Sequence, residues 1–209
     1  MPATPEPISS AAALSDSGLR QALRWVIALN LAYFFVEFSV AAAIGSVSLF
    51  ADSIDFLEDT SLNLLILVAL GWTVRRRAQL GMGLAGILLV PAVATLWTAW
   101  TKFSVPAPPA PIPLSLAGLG AFAVNLTCTF ILLRHRHGGG SLTRAAFLSA
   151  RNDVLANIAI VAAGLVTAYT MSIWPDLVVG LGIAAMNADS AREVWQAARK
   201  EGAAAALEP

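Results

Sequence analysis

The sequence predicts an all-α membrane protein in which six transmembrane helices form one bundle. Of its 209 residues, 57% are hydrophobic and 12% charged, with a mean hydropathy of +0.72. Soluble domains are nearer half apolar and a quarter charged, so most of this chain is expected to lie in lipid. The apolar residues fall into six stretches of about 20 residues or more, the length that spans a bilayer. The basic residues lie mostly at the helix ends that the six-span topology places on one side of the membrane.

The chain divides into a transmembrane domain and two tails. Residues 1–19 are rich in Pro, Ser and Ala and predict a disordered cytoplasmic tail, and residues 201–209 form a short C-terminal tail. Residues 20–200 hold the six spans, at approximately 21–44, 48–73, 79–102, 113–134, 142–171 and 174–197.

Local features support the middle spans. Pro91 is expected to kink span three, and Trp97 and Trp100 lie near its end, as in an aromatic belt. The Pro-rich stretch 103–113 predicts a stiff external loop. Asn125 lies within span four, where its amide needs an interhelical partner or a water-filled cavity.

The distribution of basic residues predicts the orientation. One set of helix ends carries Arg20, Arg24, Arg75, Arg76, Arg77, Arg134, Arg136, Arg144, Arg192, Arg199 and Lys200, whereas the opposite set carries Lys102. The positive-inside rule therefore places both termini in the cytoplasm. We expect a multi-pass protein of the cell membrane, which is the inner membrane in a Gram-negative bacterium.

The apolar span two carries four acidic residues within eight positions. Asp52, Asp55 and Asp59 are spaced i, i+3 and i+7 and share one helix face, with Glu58 beside them. A carboxylate at mid-bilayer costs about 3 kcal/mol unless it is paired, protonated or hydrated. A divalent cation or shared protons would relieve the repulsion between these acids. The alternative, strongest for Asp52 and Glu58, is a solvated helix start.

Span five carries a second polar face. Ser149, Asp153 and Asn157 lie one turn apart within an otherwise apolar helix. An ion pair of Asp153 with Arg144 or Arg151 is the alternative, although Arg151 is two positions away and on another face. An aspartate with hydroxyl and amide neighbours suits an oxygen-ligand cation site that the acids of span two would complete.

The depths of the two acidic elements agree poorly on simple helix geometry. At 1.5 Å per residue, Asp59 lies roughly 24 Å from Arg75, whereas Asp153 lies roughly 14 Å from Arg144. The two aspartates meet if span two projects into the cytoplasm or the helices tilt differently.

Softer metal ligands are few. Cys128 is the single cysteine, which excludes an internal disulfide and a cysteine-based metal cluster, and it is interpreted as a packed thiol. Both histidines, His135 and His137, lie in the basic loop after span four. They are candidates for cytosolic metal capture, and the alternative is a cytosolic interface patch.

The order of these motifs resembles the cation diffusion facilitator transporters along nearly the whole transmembrane part. The matching elements are Asn30 and Glu37 in helix one, Gly45 and SLFADS at 48–53, Asp55 and Asp59 in helix two, SLTRAA at 141–146, Ser149, Asp153 and Asn157 in helix five, and Trp174-Pro175-Asp176 at the start of helix six. Two departures stand out. Ser149 stands where the family has a His or Asp ligand, and we expect the chain to lack the cytoplasmic metal-binding domain found in many members.

The resemblance implies a secondary active transporter, not an enzyme, that exports divalent metal ions in exchange for protons by alternating access. The implied ligands are Asp55, Asp59 and Asp153, with Ser149, Asn157 and Asp52 as further ligands or their supports. Without histidine or thiolate, this set suits Mn²⁺, Fe²⁺ or Co²⁺ better than Zn²⁺. The expected partners are the lipid bilayer, the transported cation, protons and a second copy of the chain in a homodimer. No permanently bound cofactor and no nucleic acid are expected.

Two other functions remain open from the residues. The acids could line a pathway for protons or other small solutes. The chain could also be a membrane subunit that retains the fold without transport activity, since one usual ligand is replaced.

Overall fold

The computed structural model describes residues 8–69, 93–134 and 140–186, with the backbone alone at 8–16, 69, 140–149 and 151. Within these residues the protein is all-α, with six helices and no strand. The helices are α1 (Ile8–Ile44), α2 (Val47–Ala69), α3 (93–104), α4 (Pro111–Leu133), α5 (Gly140–Thr170) and α6 (Trp174–Met186).

Three described segments are long and apolar enough to cross a membrane: Ser17–Ile44, Pro111–Leu133 and Asn152–Thr170. The all-α, multi-pass architecture predicted from the sequence is therefore confirmed. The predicted kink at Pro91 and the second half of span six lie outside the described residues.

Helix α1 begins earlier than the predicted first span. It starts at Ile8, within the segment 1–19 that the sequence assigned to a disordered tail. The run SAAAL favours helix because Ala and Leu have the highest helix propensities, which composition alone did not take into account. Leu19 and Leu23 are buried in a cluster with Leu132 of α4, so the end of this segment already belongs to the bundle.

A tight corner joins α1 to α2. Gly45 adopts a φ of +63°, the left-handed conformation that favours glycine, and ends α1. Ser46 then caps α2, because its Oγ accepts a hydrogen bond from Leu49 N at 3.2 Å. The two helices turn back on each other, and Phe38 packs edge-on against Phe50 with ring centroids 5.3 Å apart.

The loop between α3 and α4 is shorter than predicted. Helix α3 continues to residue 104 and α4 begins at Pro111, so the non-helical part of the Pro-rich stretch covers 105–110. Proline fits the first turn of a helix because the amide it lacks would have no partner there. Helix α4 then packs closely on α5, where Gly118 faces Ile160 and Val161.

The bundle exposes large apolar side chains and buries a set of polar side chains among its apolar core. Large apolar side chains such as Trp97, Trp100 and Leu155 are exposed, as lipid-facing residues would be. The fully or almost fully buried polar side chains include Asn30, Glu37, Asp52, Asp59, Asn125 and Asn157. These six residues come from α1, α2, α4 and α5, so the polar interior is shared by four helices.

Candidate metal-transport site in the bundle interior

The predicted ligands of α2 and α5 lie on the faces where these two helices pack together. Asp55 is close enough to Asp153 for their charges to interact across this interface. Asp153 in turn interacts with Asp59. Asp55 and Asp153 are half-buried, and Asp59 is 3% exposed. The structure therefore brings all three predicted ligands into one region, and the poor agreement in depth estimated from helix geometry does not keep them apart.

The charges acting on this region are of one sign. Within the described residues, the charged groups that act on Asp55 are the carboxylates of Asp153, Asp52, Glu58 and Asp59. Glu58 is half-buried rather than fully solvated. Repulsion among these groups favours whatever brings positive charge between them, either a metal ion or protons.

The acids do not form a closed metal shell in this conformation. In the described part of the chain, no three side chains of His, Cys, Asp or Glu are grouped closely enough to hold a metal ion. Asp55 and Asp153 thus interact electrostatically without belonging to such a group of three.

A chain of hydrogen bonds from α4 and α5 holds Asp52. Asn157 Nδ2 of α5 donates to Asp52 Oδ2 at 2.7 Å. Asn125 Nδ2 of α4 donates to Asn157 Oδ1 at 3.0 Å. Asn125 and Asn157 are 1% and 0% exposed, so water does not replace these bonds. The sequence-based expectation that Asn125 needs an interhelical partner is confirmed, and the partner is Asn157.

A second contact reaches Asp59 from α1. Asn30 Nδ2 donates to Asp59 Oδ2 at a long 3.4 Å, and Cys128 Sγ donates to Asn30 Oδ1 at 3.4 Å. Asn30 and Cys128 are fully buried. Cys128 is a packed thiol, as expected, and its position beside Asn30 was not evident from the sequence.

Glu37 of α1 is the acid that the search for site residues missed. It is fully buried, and its carboxyl group lies within hydrogen-bonding reach of that of Asp52. No N–H or O–H donor among the described residues reaches Glu37 Oε1, Glu37 Oε2 or Asp52 Oδ1. A hydrogen bond between two carboxyl groups requires one proton, because an ionised carboxylate can only accept. The sequence feature that could have indicated Glu37 as a site residue is its position as an acid within an apolar span.

Several predictions fall outside the described residues. They concern the side chain of Ser149, the histidines His135 and His137, and the arginines Arg144 and Arg151 that would pair with Asp153 in the structural alternative.

Comparison with known proteins identifies the family. Residues 23–200 match the family model of the cation efflux transmembrane domain, which covers most of the 209 residues. No curated protein is similar enough to count as a relative. The matched region contains all six of the buried polar residues named above. The chain belongs to the cation efflux family, and it is a membrane transporter of metal cations of the cation diffusion facilitator kind.

Proposed function

We propose that this protein exports a divalent metal ion from the cytoplasm in exchange for protons, with Asp55, Asp59 and Asp153 as the ligands. The observation that carries the proposal is the interaction of α2 and α5 carboxylates inside a bundle whose outer surface is apolar. Ionised carboxylates in such surroundings are costly unless a cation neutralises them. A divalent ion bound by oxygen ligands supplies that charge.

The transport cycle follows from competition for the same oxygens. With the site open to the cytoplasm, the ionised aspartates bind the metal ion as α2 and α5 bring them together. With the site open to the other side, protons displace the ion because protons and metal compete for carboxylate oxygens. Lower pH should therefore weaken metal binding, and a pH gradient should drive metal movement in the opposite direction to protons.

We assign Asn157 and Asp52 to the support of the site rather than to the metal. Both Asn157 amide atoms are occupied by Asp52 and Asn125, and Asp52 Oδ2 is occupied by Asn157. Ser149 lies one turn before Asp153 and is a candidate for a further oxygen ligand. A ligand set of oxygens favours Mn²⁺, Fe²⁺ or Co²⁺ over Zn²⁺.

Membrane placement and assembly complete the proposal. We place the protein in the cell membrane with both termini in the cytoplasm, on the arginine distribution described above. The resemblance to the family supports a homodimer. Mass measurement in a native-like lipid particle tests this state, and monomers alone would contradict it.

The function is tested by metal uptake into proteoliposomes across a panel of divalent ions, with and without a pH gradient. Separate Asp55→Asn, Asp59→Asn and Asp153→Asn variants should each lose metal binding and flux while remaining inserted and folded. Their stability without metal should be equal or higher, because removing one charge relieves repulsion.

Glu58→Gln is the matched control, since it removes a carboxylate of the same helix that is not assigned to the metal. It should retain binding and flux. Wild-type behaviour of Asp153→Asn would overturn the metal site. Metal-independent proton or solute flux would favour the solute-pathway alternative. Complete absence of flux, with a partner protein that co-purifies in fixed ratio, would favour the non-transporting subunit.

A further inference from the structure

The N-terminal end of α2 is fastened to the start of α6 by one carboxylate. Asp176 is fully buried and accepts four hydrogen bonds, from Ser46 Oγ at 2.6 Å, Ser48 Oγ at 2.7 Å, Val47 N at 2.9 Å and Ser48 N at 3.1 Å. The backbone amides at a helix N-terminus have no partner within the helix, and the helix dipole favours negative charge there. Asp176, which lies 128 positions after Ser48 in the sequence, thus caps the N-terminus of α2.

The same carboxylate also holds the end of α3 and the loop that follows. Lys102 Nζ lies 3.5 Å from Asp176 Oδ2 and donates to Ala107 O at 3.0 Å. Removing one partner of a buried ion pair is costly because the other charge is left uncompensated. Three segments, α2, α6 and the α3–α4 loop, are therefore joined at one point.

Close packing seals the space beside this polar cap. Val47, Ala99 and Leu177 form a small buried cluster between α2, α3 and α6. Gly180 lies against the first turn of α2, where a Cβ atom would be 2.6 Å from Ser48 N and from Val47 C, against 3.4–4 Å for ordinary contact. Because both atoms belong to the backbone, α2 and α6 can approach this closely only with glycine at this position.

This closed layer lies directly beyond the acids of the proposed transport site. Asp52 is five residues after Val47 on α2, or roughly 7.5 Å along the helix axis. Asp52 and Ser53 are both fully buried beneath the layer. On the proposed topology, the layer stands between the acids and the external side of the membrane.

We propose that the contact of the first turn of α2 with Asp176, Lys102 and Gly180 is the outer gate of the transport pathway. The described conformation has this gate closed, and its opening separates the start of α6 from the start of α2. Asp176 acts as a positioning residue that stabilises the closed state. This inference rests on the proposed transport function and topology, but it concerns access to the bundle interior and not the ion.

The test measures access to the interior from each side without metal. Ser53→Cys in a Cys128→Ser background is the outer reporter, and the native Cys128 of the otherwise unchanged chain is the inner reporter. Both are labelled with a membrane-impermeant maleimide, from outside in spheroplasts of an expression host and from inside in inverted vesicles. Gly180→Ala and Asp176→Asn are then introduced into each reporter background.

Both variants should speed outside labelling of the outer reporter by about tenfold. This is the change expected when the closed state loses about 1.4 kcal/mol of stability relative to the open state. Labelling of the inner reporter should stay within about twofold of the parent. Gly182→Ala is the matched control on the same helix, because no atom lies within 4 Å of its added Cβ, and it should leave both rates unchanged.

Unchanged outer labelling in Gly180→Ala and Asp176→Asn would overturn the gate. An equal rise at both reporters, or a similar rise in Gly182→Ala, would also overturn it, because general loosening would then explain the effect. Since the readout needs no metal, an outer rise in a protein that moves no metal would keep the gate and refute the proposed cargo.

Discussion

The substitution Asn157→Ala tests the polar interior most directly. The side chain of Asn157 donates to Asp52 at 2.7 Å and accepts from Asn125 at 3.0 Å. Alanine removes both bonds at once. Asp52 would keep no donor in this chain of bonds, since no N–H or O–H donor among the described residues reaches its Oδ1, and the Asn125 amide would lose its acceptor.

The size of the effect follows from the two bonds. A hydrogen bond to a charged group contributes about 1.5–3 kcal/mol and one between neutral groups about 0.5–1.5 kcal/mol. Interhelical hydrogen bonds measured in membranes are smaller, about 0.6 kcal/mol on average and about 1.7 kcal/mol at most. Because both partners are almost fully buried from bulk water, we expect a loss of about 2–4 kcal/mol.

Thermal unfolding of the metal-free protein in lipid particles measures this loss. For a chain of this size, about 1 kcal/mol corresponds to a Tm change of about 2–4 °C. The double variant Asn125→Ala/Asn157→Ala should lose less than the sum of the single variants, by about 0.6–1.7 kcal/mol, since it leaves no orphaned Asn125 amide.

The control is Asn152→Ala, an exposed asparagine on the same helix, which should unfold close to the wild-type temperature. Equal stability of Asn157→Ala and Asn152→Ala would refute the reasoning, because it would show that the buried bonds make no net contribution.

Three further changes test other parts of the site and the topology. Asn30→Ala should weaken metal binding about tenfold because Asp59 loses its hydrogen bond from α1; this is the lower end of the effect seen when a residue that hydrogen-bonds a metal ligand is mutated. An unchanged metal affinity measured by calorimetry would contradict this. Ser149→Asp adds a carboxylate where the resemblance places a ligand and should tighten Mn²⁺ binding, whereas an unchanged dissociation constant would remove position 149 from the site. Ala107→Cys in a Cys128→Ala background should be labelled from outside the cell, and labelling from the cytoplasmic side alone would reverse the topology.

The sequence predicted the helices well because each span is a local property. The predicted spans 113–134 and 142–171 differ from α4 and α5 by one or two residues at each end. The polar faces of spans two and five also follow from the helical repeat, which fixes the side of the helix on which Asp59 or Asn157 lies. The need for a partner at Asn125 was predictable on the same grounds, since an amide in lipid must be satisfied.

The sequence alone did not predict which face of each helix contacts which neighbouring helix. Glu37 is one acid in an apolar span, and nothing local indicates that α1 turns it toward Asp52. The sequence places Asp176 at the acidic start of helix six. Its hydrogen bonds with the first turn of α2 depend on how the helices pack and are seen only in the structure. The estimate of depth separated Asp59 from Asp153, whereas their charges interact in the structure; it was measured from Arg75, which lies outside the described residues.

The first turn of α2 and the buried acids that follow it are built in opposite ways. At the first turn of α2, both oxygens of Asp176 accept hydrogen bonds and Lys102 adds a positive charge, so this carboxylate is complete without any ion. Five residues further along α2, Asp52 Oδ1 and both Glu37 oxygens are buried without a donor among the described residues. A buried acceptor left without a partner costs about 1–3 kcal/mol, and more when it is charged, so these acids destabilise the bundle unless positive charge reaches them. Asp176 is thus neutralised and hydrogen-bonded by the protein alone, whereas Glu37 and Asp52 need a proton or another positive charge.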